Sequence, residues 1–368
     1  MQDRKLVVFW AGNPWQGLPA TDHHLVRALA EQVDVIWMDP TESVHTGRSP
    51  LPRLQQAEPG IRVMSLGTVP GASRSGLRQL AAAHLDAALL TATARESRRV
   101  WATISCSPRV RLPRRNGGVR VLHATDDWRA GAAMMGLDEA WLAGLLRANV
   151  READVVSAVS VDLAQTLQRL NPRHLVEVIP NGATIPDALP QGPRNRVAVL
   201  VGQLNERLDV AMMQAVADAG VELCIMGPRT DRDPEQTRRL DELLARPEVD
   251  HRGLVPHAEV VERLGRAAVG ITPYAINDFN RASFPLKTLE YLANGLPVVS
   301  TRMESLDWLA TDLVDVADSP EQFGELVRRR ADEPASPAAQ QTRRAFATQH
   351  SWPARAQALL DAIALRSR

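Results

Sequence analysis

Ser283-Phe-Pro-Leu-Lys-Thr-Leu-Glu-Tyr-Leu-Ala-Asn-Gly-Leu-Pro-Val-Val-Ser300 places a helix start, a lysine, a carboxylate and a helix stop within 18 residues. Lys287 is one of two lysines in a 368-residue chain that holds 41 arginines. An ammonium is a compact point charge suited to a phosphate oxygen, whereas guanidinium prefers flat, bidentate partners. Where positive charge is otherwise spelled Arg, a lysine here points to a geometric need. Ser283 is placed to cap a helix, Pro285 falls in the first turn where a missing N–H costs nothing, and Asn294-Gly295 ends it. Lys287 then lies in the first turn, where free backbone N–H groups and the helix dipole favour an anion. Glu290, three residues on, shares its face, and its two oxygens suit a vicinal diol such as a ribose. After Gly295 the run Leu-Pro-Val-Val-Ser reads as a short buried strand. The pattern predicts a nucleoside-diphosphate site; the plainer alternative is a surface Lys–Glu pair.

This stretch resembles the nucleotide-sugar signature of GT-B glycosyltransferases of the family 4-like group (group 1), a large retaining set that includes sucrose and mannosyl transferases. The resemblance implies an α/β protein of two Rossmann-like domains, with parallel sheets facing an interdomain cleft. It implies a sugar nucleotide as co-substrate, UDP- or GDP-linked, and no cofactor.

The alternation of short apolar runs with longer helical patterns leads to the same fold class. Strands are predicted at 6–10, 33–38, 61–66, 119–123, 155–159 and 176–179, with helices at 22–31, 77–96 and 140–152 among those between them. A second series has strands at 197–201, 222–226, 249–252, 269–272 and 297–300. Such alternation argues for parallel sheets covered on both faces, and the length suits two domains. The expected division is 1–184, a Pro/Gly-rich linker 185–196, and 197–351. The tail is helical, with a last helix from Ser351-Trp-Pro353 to about Arg366. The resemblance implies that this helix, 352–368, packs back on the first domain.

Bulk properties exclude several classes. Net charge is zero and the pI about 7.2, which gives no electrostatic case for nucleic acid. No run approaches the roughly 18 apolar residues that a membrane span needs, and residues 6–10 read as a first strand rather than a signal peptide. Cys106 and Cys224, each assigned to a strand, make neither a disulfide framework nor a metal site and suit a reducing cytoplasm. Arg109, Arg111, Arg114, Arg115 and Arg120 form a basic stretch; a solvated loop is the simpler reading, and weak peripheral contact with anionic lipid the alternative.

Further residues fall into place around the signature. Gly202-Gln-Leu-Asn-Glu-Arg207-Leu-Asp209 follows the first strand of the second series. Gly202 permits close approach of a ligand, and Arg207 is the candidate for the diphosphate, unless it pairs with Glu206 or Asp209. The resemblance places the nucleotide base on the loop His251-Arg-Gly-Leu-Val-Pro256, including Val255. It places the donor sugar under Pro273-Tyr-Ala-Ile-Asn-Asp-Phe-Asn280-Arg-Ala-Ser283. There the chain departs from the family pattern, with Ala282 where a glutamate is common, so Asn280, Arg281 or Ser283 is expected to contact the sugar.

In the first series, Gly12-Asn-Pro-Trp-Gln-Gly17 follows the first strand, and the resemblance puts it near acceptor and donor phosphate. Gly12 and Gly17 allow close approach and Trp15 offers a sugar-stacking face. His23 is a candidate on the next helix, with Thr21 as its cap and surface histidines as the alternative. Val121-Leu-His-Ala-Thr-Asp-Asp-Trp128 brings His123, Asp126 and Asp127 to the end of a strand. His123 would support leaving group or acceptor, and one aspartate would serve as base if the reaction inverts. The alternative is that one aspartate caps the next helix. This run resembles bacterial teichuronic-acid and cell-surface polysaccharide glycosyltransferases. Asp231-Arg-Asp233 looks like a metal triplet, but Asp233-Pro-Glu-Gln236 reads as an N-cap with a capping-box glutamine, so no metal is expected.

The reading is therefore a cytoplasmic glycosyltransferase, with a peripheral place at the inner membrane face as the alternative, that moves a sugar from a nucleotide donor to a glycan, lipid-linked or small-molecule hydroxyl. A sugar-nucleotide epimerase of the same fold and a non-catalytic nucleotide-sugar-binding protein are the two rivals.

Overall fold

The computed structural model describes residues 4–17, 20–40, 42, 43, 49, 51–68, 84, 87, 89, 90, 93, 99–113, 118–133, 135–189, 192–277, 280, 281, 283, 284, 286–333 and 335–367. The predicted helix at 77–96 and the positions of Arg114, Arg115, Ala282 and Pro285 fall wholly or mostly outside these residues. Two compact units are present, one of Met1–Asn181 with Trp352–Arg368 and one of Gly182–Ser351.

The first unit is built on β1 (Leu6–Trp10), β2 (Asp34–Met38), β4 (Arg53–Glu58), β5 (Ile61–Ser65), β7 (Val100–Ser105), β8 (Val119–Ala124), β9 (Val155–Ala158) and β10 (Val176–Val178). Their order is β10-β9-β8-β7-β1-β2-β5-β4, and every pair is parallel except β4 with β5. Two short strands, β3 (Glu42–Ser43) and β6 (Gly67–Thr68), pair separately. The inner strands are mostly apolar and mostly buried, as expected of a parallel sheet covered by helices. The helix Trp352–Arg366 packs on Thr21–Ala30 and buries Trp352, Ala356, Leu359, Leu360 and Ile363.

The second unit holds β11 (Val197–Val201), β12 (Glu222–Met226), β13 (Val249–His251), β14 (Val269–Thr272), β15 (Val298–Thr301) and β16 (Val314–Ala317). All pairs are parallel, in the order β13-β12-β11-β14-β15-β16. The chain steps outward from β11, then returns to start again at β14. Where strand order reverses in such a sheet, the loops part at the carboxyl ends and leave a crevice for a ligand. Here the parting is visible in the ladder. β11 and β14 share only the partners Ala198↔Val269 and Val199↔Gly270, whereas β11 and β12 run together over five residues. The Val201 N–H, next along, donates to the Tyr291 hydroxyl at 2.8 Å. Tyr291 lies on the helix Leu286–Ala293 and is fully buried. A Cβ at Gly270 would sit 2.4 Å from its ring, so this strand position requires glycine.

Five strands were absent from the sequence reading, the two-residue β3 and β6 and the longer β4, β7 and β16. β4 is a mostly exposed edge strand and β16 a short one at the opposite sheet's edge. β7 is an inner strand whose Thr103 and Ser105 are buried, so hydroxyls dilute the apolar run that marks such strands. Cys106 follows β7 rather than lying in it, and burial pushes its thiol well up.

Candidate functional site

The signature helix runs Leu286–Ala293. It begins later than a cap at Ser283 requires; Ser283 is buried in the preceding loop, where its N–H donates to Asn280 O at 3.0 Å. Lys287 is nevertheless in the first turn, and the end lies where expected, at Gly295 with φ 74°. Lys287 Nζ donates to Glu290 Oε2 at 2.6 Å. Burial pulls the ammonium pKa down, but the Glu290 carboxylate, through charge and hydrogen bond, together with Tyr274, leaves it above the ordinary lysine value. The charge is therefore secure at neutral pH.

Arg207 reaches the same place from the loop after β11. Its guanidinium lies over the Tyr274 ring, 5.8 Å from the centroid, and its Nε donates to Asn280 Oδ1 at 3.1 Å. Glu206 accepts from the backbone N–H of Arg232 and Asp233, and Asp209 caps the helix Val210–Asp218. Burial raises the Tyr274 phenol pKa, the positive charges of Arg207 and Lys287 oppose that shift, and the charge of Glu290 adds to it. Arg207 thus lies against the Tyr274 ring, and Lys287 and Glu290 are near enough for their charges to act on the same phenol. The chain has only two tyrosines, and both are in this region. That scarcity was the signal through which Tyr274 and Tyr291 could have been found.

The structure corrects the expected role of Asn280. Its amide donates to Arg207 O at 2.9 Å and Ala275 O at 2.8 Å while its oxygen holds Arg207. It is 2 % exposed, and it positions Arg207 rather than presenting itself to a sugar. Gln236 acts from the other side. Its side chain donates to Asn205 O and Leu208 O, flanking Arg207, instead of closing a capping box on Asp233. Asp233 does cap its helix, accepting from Gln236 N at 2.9 Å, and Asp231 is bound by Arg229 and Thr237. Each aspartate of the triplet is accounted for by protein contacts.

Gly202 ends β11 with φ 156°, and a Cβ at Gly227 would lie 1.9 Å from Gly202 O. Gly227 N donates to Gly253 O at 2.7 Å, and His251 Nε2 bonds Gly227 O at 3.0 Å. Gly202 and the loop bearing Val255, which is half-buried, therefore belong to one connected set of turns at the carboxyl edge of the sheet.

In the first unit, Gly12 and Gly17 are exposed in the loop after β1. Gly12 N donates at 2.8 Å to Asp22, whose carboxyl is pushed up by burial against the pull of that bond. Trp15 is half-buried. It meets Trp37 edge-on at 5.0 Å and His23 at 5.4 Å, with the Arg27 guanidinium 5.3 Å from its ring centre. His23 is a correction on both counts: it is 1 % exposed, neither at a cleft nor on a surface. Its Nδ1 accepts from Ala20 N, so Nε2 carries the proton and donates to Pro14 O at 3.1 Å and Trp15 O at 3.2 Å. Ala20, not Thr21, is the N-cap. His23 fastens the loop from beneath.

His123 is likewise interior. It is 3 % exposed, bonds Ser157 Oγ at 2.9 Å, and burial lowers its pKa to about 4. An imidazole so placed stays neutral and supports β8 and β9 rather than trading protons. Asp127 accepts from Arg129 N and Ala130 N, closing a turn well before the next helix, which Asp138 caps. Asp126 is half-buried beyond the end of β8. In the basic stretch, Arg111 pairs with Glu152 and Arg120 with Asp154. Among the described residues no helix is long and apolar enough to cross a membrane.

Known proteins resemble the whole of this architecture. Sucrose-phosphate synthase from Thermosynechococcus elongatus superposes with a TM-score of 0.70 at 16 % identity, over 97 % of this chain and 98 % of that one. This is the GT-B fold. Anabaena Alr3699/HepE, solved with UDP and glucose, shares it at TM-score 0.66 and 15 % identity, over 98 % of this chain and 99 % of that one. So does the UDP-forming α,α-trehalose-phosphate synthase of Burkholderia xenovorans, solved with glucose-6-phosphate, at 0.70 and 10 %, over 98 % and 100 %. Residues 207–361 match the family model described as Glycosyl transferase-like. The putative teichuronic acid biosynthesis glycosyltransferase TuaH of Bacillus subtilis (strain 168) is 31 % identical over 115 residues. That match covers 31 % of this chain and 29 % of the relative.

Proposed function

We propose that this GT-B protein is a glycosyltransferase that takes a hexose from a UDP- or GDP-sugar and gives it to a hydroxyl acceptor in cell-surface glycan synthesis. The observation that carries the reading is the Lys287–Glu290 pair in the first turns of its helix, together with Arg207 held over Tyr274 by Asn280 in the loop after β11, in the unit where strand order reverses. In that arrangement Lys287, Arg207 and the helix N-terminus neutralise charge growing on the departing diphosphate, and Glu290 accepts from the ribose. Donors fixed in place before the reaction cost no reorganisation, and each contributes about 3 kcal/mol to the transition state. With two cations so placed, the reading needs no metal ion for this task.

Support for the donor comes from the HepE complex with UDP, and support for a cell-surface product from the teichuronic-acid relative. Retention of configuration is part of the proposal; a structurally similar trehalose-6-phosphate synthase is described as transferring with retention. For the acceptor we assign the exposed Gly12 and Gly17 loop with Trp15; a carboxylate base at Asp126 belongs to the inverting alternative and has no part in the retaining reaction proposed. The Val255 loop completes the donor side.

A library of nucleotide sugars, read by mass spectrometry for released nucleotide and glycosylated product, tests the reaction. Lys287→Ala should weaken binding of the competent donor about 10- to 100-fold, the worth of one charge-assisted hydrogen bond, with the circular dichroism spectrum unchanged. Unaltered donor affinity in that variant would remove the proposed site.

A further inference from the structure

Lys287 and Glu290 satisfy one another. The ammonium donates to the carboxylate at 2.6 Å, with side chains 30 % and 22 % exposed. An ion pair in open solvent yields to a competitor with little loss, but a partly buried one resists, because the partner left behind keeps an uncompensated charge. An anion that binds Lys287 must share the ammonium with the carboxylate three residues along the same helix face, and it adds negative charge beside that carboxylate. Bare phosphate or pyrophosphate offers Glu290 nothing in exchange. A nucleoside diphosphate does: its vicinal hydroxyls are donors, and an ionised carboxylate is an acceptor only.

We propose that Glu290 is a specificity-determining residue, which holds Lys287 against simple phosphate anions and releases it to a ligand whose ribose hydroxyls replace the ammonium. The inference rests on the donor-site reading above. One carboxylate then acts with opposite sign on two ligands that share a diphosphate. Phosphate and pyrophosphate are ordinary solutes of any cell that uses nucleotides, so a site built from cations alone would be occupied by them.

Calorimetric titration of the full chain with pyrophosphate, UDP and GDP tests the sign. Glu290→Ala should bind pyrophosphate about fivefold more tightly than wild type, the release of one partly screened ion pair. The same variant should bind the preferred nucleotide about tenfold less tightly, for the lost hydroxyl contacts. Glu290→Gln, close to isosteric and uncharged, should tighten pyrophosphate as well but lose less nucleotide affinity, because its amide oxygen still accepts. Lys287→Ala should weaken both ligands. Unchanged or weaker pyrophosphate binding in both Glu290 variants, with wild type still binding a nucleotide, overturns this proposal and leaves the donor site standing. Failure of wild type to bind either nucleotide takes both away.

Discussion

His123 shows what burial does to a residue whose chemistry looks catalytic. Sequence offered an imidazole at the end of a strand, followed by two aspartates; the structure gives it a serine partner and buries it. Its pKa falls from 6.5 to about 4. The unfolded chain therefore binds a proton between those values that the native protein refuses. Its contribution to stability is full above about pH 6.5 and is lost as pH falls toward 4, about 3 kcal/mol in all for a shift of this size. Replacing His123 with Gln should flatten the dependence of urea unfolding on pH across that window; an unchanged slope would show the proton is bound elsewhere. Lys287 was legible because its residue type is rare in this chain and its position is defined by helix signals. Asn280 and His23 were misread for a shared reason. Polar side chains after a strand serve ligands and loops alike, and only their partners tell which.

At the level of elements, the proposed donor site depends on how the helix Leu286–Ala293 seats against β11 and β14. Tyr291 fills the gap where their ladder stops, with its hydroxyl on Val201 and its ring on Gly270. Gly270→Ala would drive a methyl into that ring, and overpacking of this kind costs about 1–3 kcal/mol. The variant should show a lowered unfolding midpoint together with weakened nucleotide binding, since the helix that moves also carries Lys287 and Glu290. A lowered midpoint with donor affinity intact would uncouple seat from site. Strand positions were readable from apolar runs to within a residue or two over most of both sheets. β4, β7 and β16 were not, because an exposed edge alternates and a hydroxyl-bearing inner strand lacks the expected run. Nothing in local sequence records that Gly270 faces an aromatic ring one element away.

For the molecule as a whole, the first unit is assembled from both ends of the chain. Trp352, Leu359, Leu360 and Ile363 are buried on it, and each such side chain stabilises by about 1.5–3 kcal/mol, against a typical net stability of roughly 5–15 kcal/mol. Deleting residues 352–368 should therefore raise amide exchange across the Thr21–Ala30 helix and the strands beside it, while the second unit keeps its protection. Uniform loss of protection in both units would contradict that division. The same return of the chain bears on biosynthesis. Domains ordinarily fold in the order in which they leave the ribosome, yet residues 1–181 are made before 182–351 and need the later helix Trp352–Arg366 to cover their apolar flank. Nascent chains stalled before residue 352 should consequently recruit chaperones through residues 1–181, and the second unit should mature ahead of the first.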